Sequence, residues 1–112
     1  MGKARWHIVE EPGALVLARC WPVRFDLAVA TVLPAVARRA RLAQQVRQDM
    51  WRALRGLRGF SPAVRLEEAE SGLRVVAGGQ VDGPLPRAKA EAQIADLLAC
   101  PRNRARWARW AS

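Results

Sequence analysis

The sequence predicts an α+β protein: an antiparallel sheet from two β-hairpins, with a long central amphipathic helix and a C-terminal helix packed on one face. Three observations carry that expectation. Two stretches alternate apolar and polar residues around turn dipeptides. Between them, apolar side chains recur at steps of three and four residues, the period of a helix. A shorter repeat of the same kind follows the second hairpin. The chain has 112 residues, of which 51% are hydrophobic and 26% charged. That is material for one core, read as one small basic domain over 1–112, and the composition is globular, not disordered.

The first hairpin is expected over residues 5–20. Ile8 and Val9 precede a turn, and Leu15, Val16 and Leu17 follow it. Pro12-Gly13 suits the centre of a type II turn, proline presetting a negative φ and glycine accepting a positive one. A tight turn sets Ile8 opposite Leu17 and Val9 opposite Val16. A type II turn twists a two-residue hairpin against its strands, which favours a longer loop. Trp21-Pro22 closes the unit. Val23 to Leu33 is ambiguous: Asp26 is placed to cap a helix beginning Leu27, Ala28, Val29. Pro34 then separates that helix from the next and is expected near the first turn of the main helix.

The main helix is expected from Val36 to Leu57. Val36, Ala40, Ala43, Val46, Met50, Leu54 and Leu57 make its apolar stripe; Arg38, Arg41, Gln45, Gln48, Arg52 and Arg55 make the opposite one. Arg39 and Arg47 intrude near the apolar stripe and must snorkel, pair with an acid or face a partner. Gly59 is the expected C-cap, Gly56 a weak point in the last turn, and Phe60-Ser61-Pro62 the exit.

The second hairpin is expected over residues 63–79, turning at Ser71-Gly72. Val64, Leu66, Leu73, Val75 and Ala77 supply the apolar face, and pairing Leu66 with Val75 sets Glu67 opposite Arg74. Gly78-Gly79 ends the strand. After a turn-rich connection, Arg87 to Cys100 reads as a helix with Ala90, Ile94, Leu97 and Leu98 inward. Pro101 breaks it, leaving Arg102 to Trp110 as a short helical turn or two. Whether the two hairpins share one sheet is left open.

Net charge is +9. By segment, residues 32–60 carry about +6 and 101–112 about +4, whereas 61–85 carry about −2. From Arg38 to Arg58 there are seven arginines and one acid, Asp49. A solvated helix usually intersperses acids at four-residue spacing, so this face points to a polyanion or an acidic partner. Solvation alone is the plainer account, since arginine is a good helix former. The terminus PRNRARWARWAS interleaves the other basic block with Trp107 and Trp110. It can stack on bases, meet a membrane interface or dock on the protein's own core.

The pattern excludes most catalytic classes. His7 is the lone histidine and has no partner set. Cys20 and Cys100 form no CxxC pair and lack ligands for zinc. Gly78-Gly79 lacks the Lys-Ser/Thr ending of a phosphate loop. Glu67, Glu68 and Glu70 read as solvated edge charges, and Asp49 and Asp96 as isolated. Trp6, Trp21 and Trp51 read as packing residues. No enzyme activity, cofactor or metal is expected. The first residues lack a signal-peptide core, and the longest apolar run, Leu27 to Ala37, is too short to span a bilayer, so a cytoplasmic protein with reduced thiols is expected.

The expected function is non-catalytic binding of nucleic acid, DNA or RNA. Arg38, Arg41, Arg52, Arg55, Arg102, Arg104, Arg106 and Arg109 would meet phosphates, and Trp107 or Trp110 a base. The alternative is a protein-interaction module: an accessory or assembly subunit docking on an acidic protein partner, or a homodimer.

Overall fold

The computed structural model describes residues 6–112. The expectations about the first residues, including Arg5 at the head of the first hairpin, lie outside the described residues. The chain forms β1 (His7–Glu11), β2 (Ala14–Ala18), β3 (Leu27–Leu33), α1 (Arg39–Ala53), β4 (Phe60–Ala69), β5 (Gly72–Val81), α2 (Arg87–Ala99) and α3 (Pro101–Ala111). The five strands make one antiparallel sheet in the order β1-β2-β4-β5-β3. The two hairpins therefore share a sheet, joined where β2 pairs with β4 from Ala14↔Glu67 to Ala18↔Ala63.

The first hairpin has the expected register, Ile8↔Leu17 and Val9↔Val16. Its loop is the two residues Pro12-Gly13, with Gly13 at φ 77°. The Gly13 carbonyl is held from the neighbouring strand by the Glu68 N–H at 2.8 Å. The second hairpin also pairs as expected, Leu66↔Val75 and Glu67↔Arg74, but it is longer. Phe60-Ser61-Pro62 belongs to β4, and β5 continues through Gly78-Gly79 to Val81. Proline rarely sits in a central strand because it cannot donate to the ladder. Pro62 is tolerated because β2 stops at the level of Ala63, so β4 has a free edge there. Gly78 is required by close approach: a Cβ on it would lie 1.8 Å from the Leu27 carbonyl oxygen of β3.

The expected helix after Asp26 is a strand. Burial along Leu27–Leu33 alternates, with Leu27 and Leu33 buried and Ala28, Ala30 and Val32 exposed, as in a strand with one solvated face. Asp26 does not cap a helix. Its N–H donates to the Gly79 carbonyl, its carboxylate accepts the Val81 N–H at 2.9 Å, and Arg24 chelates the same carboxylate at 2.9–3.0 Å. These contacts pin the start of β3 to the end of β5.

One sheet face carries Leu15, Leu17, Val64, Leu66, Val75 and Ala77 into a core shared with α1, α2 and α3. Helix α1 is shorter than its periodic pattern. It begins at Arg39, five residues after Pro34, and stops at Ala53, with Gly56 in the following turn. Leu42, off the expected stripe, is fully buried beside Ala43, Val46 and Met50. Gly59, at φ 73°, serves the turn into β4 against the Asp82 backbone and not the helix end. The terminal segment is a helix of 11 residues, not a turn or two. No helix among the described residues is long and apolar enough to cross a membrane.

Candidate functional site

The basic surface is built on Asp49. This carboxylate projects from α1 toward α3 with only 10% of its side chain exposed. Its Oδ2 accepts the Arg106 Nη2–H at 2.6 Å and the Trp107 indole N–H at 2.7 Å; its Oδ1 accepts Arg106 Nη1–H at 3.3 Å. Two donors from one helix thus close on one acid of another, a charge-assisted arrangement that fixes the crossing. Gln45 Oε1 also accepts from Arg106 Nη1 at 3.3 Å and Asn103 Oδ1 from Arg106 Nη2 at 2.9 Å. The head of α1 meets the tail of α3, where the Arg38 N–H donates to the Ala111 carbonyl.

Residues at the start of α3 complete the end of α2. A helix leaves its last carbonyls without partners. Here Asn103 Nδ2 donates to the Leu97 carbonyl at 3.0 Å and Arg104 Nε to the Leu98 carbonyl at 2.7 Å, while Arg104 Nη2 reaches Thr31 Oγ1 at 2.9 Å. Pro101 sits in the first turn of α3, where its missing N–H costs nothing.

This geometry divides the ten residues expected at the site. Trp107 is fully buried, so neither ring face is open to a base. Arg104 and Arg106 are engaged inside the fold. Arg38, Arg41, Arg52, Arg55, Arg102 and Arg109 are exposed, as is Trp110 at 52%. Arg41 and Arg52, with Gln48, fall within about 40° of one another around the α1 axis at 100° per residue, opposite the buried stripe, and Arg55 follows in the turn after the helix. Arg102 and Arg109 share the outer side of α3, seven residues apart. Trp110 stands one turn beyond Arg106 on the same helix. These are the outward residues of two helices that pack on each other, here termed the ridge.

The acids lie elsewhere. Glu10 and Glu68 approach Arg39 at 3.8 and 3.6 Å; Glu67 takes Arg65 and Arg74 at 2.8 and 3.0 Å; Asp26 and Asp82 share Arg24; Glu91 faces Arg87. Hydrogen bonds from Arg65 and Arg74 hold the Glu67 carboxyl below its usual pKa, and Arg24 does the same for Asp26. Arg38, Arg41, Arg55, Arg102 and Arg109 form no ion pair with any acid among the described residues, and Arg52 reaches Asp49 only at 4.0 Å.

The two intruding arginines of α1 are accounted for within the chain. Arg39 pairs with Glu10 and Glu68. Arg47 lies 4.4 Å over the Trp6 ring and donates to Gln44 Oε1 at 2.7 Å; burial lowers its pKa from the ordinary arginine value. Trp6 packs as expected, but Trp21 and Trp51 remain 51% and 40% exposed. Asp49, read from sequence as isolated, is the most connected acid of the helical layer. Its partners are 57 and 58 residues away, and no local spacing signals them.

Among the described residues no cluster of His, Cys, Asp and Glu has the makings of a metal site. Cys20 and Cys100 are free thiols. A groove of about 340 Å³ opens between the end of α1 and the start of α2, walled by Leu54, Leu57, Pro84 and Ala90 with Arg58 and Lys89 beside it. Its lining holds no carboxylate, thiol, hydroxyl or imidazole. No protein-family model matches the chain, and no curated protein or solved structure matches it either.

Proposed function

We propose that the protein binds nucleic acid without catalysis, holding phosphates along the α1–α3 ridge. The observation that supports this reading is the segregation of charge. Acids neutralise arginines over the sheet and at the seam between the helices, and among the described residues leave the outer ridge without an ion pair except the long Arg52–Asp49 contact at 4.0 Å. Solvation alone gives no reason for this separation, whereas a polyanion ligand does. Arg41 and Arg52 on α1, Arg55 in the turn after it, and Arg102 and Arg109 on α3 are the phosphate contacts, with Arg38 at the head of the seam. From Arg41 to Arg52 the helix rises about 16 Å, or four to five phosphate intervals of one strand at ~3.4 Å each. Trp110 is the platform for an unpaired base. Arg104, Arg106 and Trp107 contribute indirectly, by holding α3 in place.

A second reading, docking on an acidic protein partner, draws on the half-exposed Trp51 and Trp110. Exposed tryptophan beside arginine is the composition of a binding hot spot.

The test is fluorescence anisotropy with labelled single- and double-stranded DNA and RNA at about 50 and 200 mM salt. Five phosphate contacts imply a loss of roughly 10²–10³-fold in affinity between those conditions. The triple variant R41E/R52E/R55E is expected to abolish binding. No binding by the unaltered protein at the lower salt overturns the nucleic-acid reading and leaves the acidic protein partner as the one to pursue.

A further inference from the structure

The two edges of the sheet are built differently. β1 is five residues, HIVEE, with Glu10 and Glu11 at its end. Charged residues on a short strand are a usual defence against pairing with another chain. β3 is seven residues, LAVATVL, with no charge, proline or glycine. β5 occupies one side of it. Among the described residues no other group hydrogen-bonds to the backbone of Leu27–Leu33, so its outward N–H and C=O groups have no protein partner. On the helix-free side of the sheet, Ala28, Ala30 and Val32 are exposed, Val32 at 50%, and Val76 flanks them opposite Ala30.

We infer that β3 pairs antiparallel with β3 of a second copy of this chain, joining two five-stranded sheets into one about a two-fold axis at Ala30. The sequence of the strand selects the occupant. An isologous antiparallel pair sets each residue opposite the one equally far from the axis on the partner. Reading outward from Ala30, Val29 opposes Thr31, two β-branched residues of equal size. Ala28 opposes Val32, small against larger. Leu27 opposes Leu33. The strand is therefore close to a palindrome, complementary to itself in volume and polarity, and an unrelated strand has no reason to match it. Both outward-facing sets of backbone groups are satisfied by such a pair, and the exposed apolar residues of the helix-free side become continuous across the axis. This inference does not rest on the ridge of α1 and α3, which remains exposed in the dimer.

Sedimentation equilibrium at roughly 100 μM protein tests it, since interfaces of ordinary size reach at least micromolar affinity. The unaltered protein is expected at about 25 kDa, twice the chain mass of 12.4 kDa. Ala30→Lys places two like charges opposite each other at the axis, and Ala30→Glu does the same with the other sign. Each variant alone is expected at the chain mass, and an equimolar mixture of the two at the dimer mass. Because the Ala30 side chain is exposed, circular dichroism of each variant should match that of the parent. A parent protein that sediments at the chain mass overturns the inference. So does a dimer that survives in Ala30→Lys, since it must use another surface.

Discussion

Arginine has opposite roles on two neighbouring surfaces of the helical layer. In the seam between α1 and α3, Arg106 meets Asp49, Gln45 and Asn103, and its charge is spent on holding the helices together. On the outward side, Arg41 and Arg55 meet no acid among the described residues, and Arg52 only approaches Asp49 at 4.0 Å. The residue type is the same. What differs is one acid, whose short hydrogen bonds all go to the seam. A protein that needed merely to be soluble would gain from spreading acids among the exposed arginines. This one spends its single acid of α1 on architecture.

The largest break in that comparison comes from the seam. Trp107 fills the core completely and also donates to Asp49. Trp107→Ala should cost about 3–5 kcal/mol, read as the loss of urea midpoint at constant slope. A domain of this size holds roughly 5–15 kcal/mol in total, so the variant should be near its unfolding threshold at room temperature. A loss below about 1 kcal/mol would mean that α3 is not an integral part of the core.

Asp49→Asn is the next largest and the sharper probe. It preserves shape while turning one acceptor into a donor that faces Arg106 and Trp107. Charge-assisted bonds of this kind contribute about 1.5–3 kcal/mol, and a loss of about 2 kcal/mol is expected. The same substitution at Asp96, which makes no ion pair among the described residues, should change stability by less than about 0.5 kcal/mol. Equal effects at the two sites would remove the special standing of the seam.

How much of this was legible beforehand follows from where the information sits. The hairpins were readable because alternation and turn signals are local: Pro12-Gly13 sets the first register to the residue, and the alternation with the Glu67–Arg74 pair sets the second, whose turn is Glu70-Ser71, one residue before the expected Ser71-Gly72. β3 was misread because its partner is β5, more than 40 residues on, and because Asp26 before an apolar run imitates a helix cap. Only the tertiary pairing shows that Asp26 binds the Val81 N–H instead. α3 was underestimated for a related reason. Just two of its residues, Trp107 and Ala111, are fully buried, so its apolar stripe is too thin to announce a helix of three turns. The arginines of the eventual ridge were named in advance, but composition could not separate Arg41 from Arg106. That distinction is made by an acid 57 residues away.

On the ridge the comparison predicts nearly no effect on folding. Replacing Arg41, Arg52 and Arg55 singly by Gln should change stability by no more than about 0.5 kcal/mol each. If the proposed binding holds, each replacement should also reduce the slope of log affinity against log salt by about 0.9. Arg106→Gln should do the reverse, lowering stability while leaving the salt slope nearly intact. A fall in stability at Arg41 equal to that at Arg106 would erase the distinction between seam and ridge.

The smallest effect is a pH dependence on the far side of the sheet, where Arg65 and Arg74 share Glu67. Their hydrogen bonds lower the Glu67 pKa in the folded protein from its ordinary 4.5. Between the lowered value and 4.5 the unfolded chain therefore binds more protons than the folded one, so acid favours unfolding. The contribution is fully present above pH 4.5 and is lost as pH falls through the folded value. Glu67→Gln should remove that part of the acid sensitivity and leave the neutral-pH melting temperature little changed, because the group is solvent-exposed and such pairs contribute little. Arg41 and Arg55 have no carboxylate partner among the described residues, and Arg52 only the long contact to Asp49 at 4.0 Å, so the ridge should add little to the same titration. Melting curves of Glu67→Gln and of the Arg41, Arg52 and Arg55 variants, taken from pH 3 to 7, would set the paired and unpaired arginines side by side. An acid transition that shifts in the ridge variants as much as in Glu67→Gln would mean that the ridge is coupled to an acid after all.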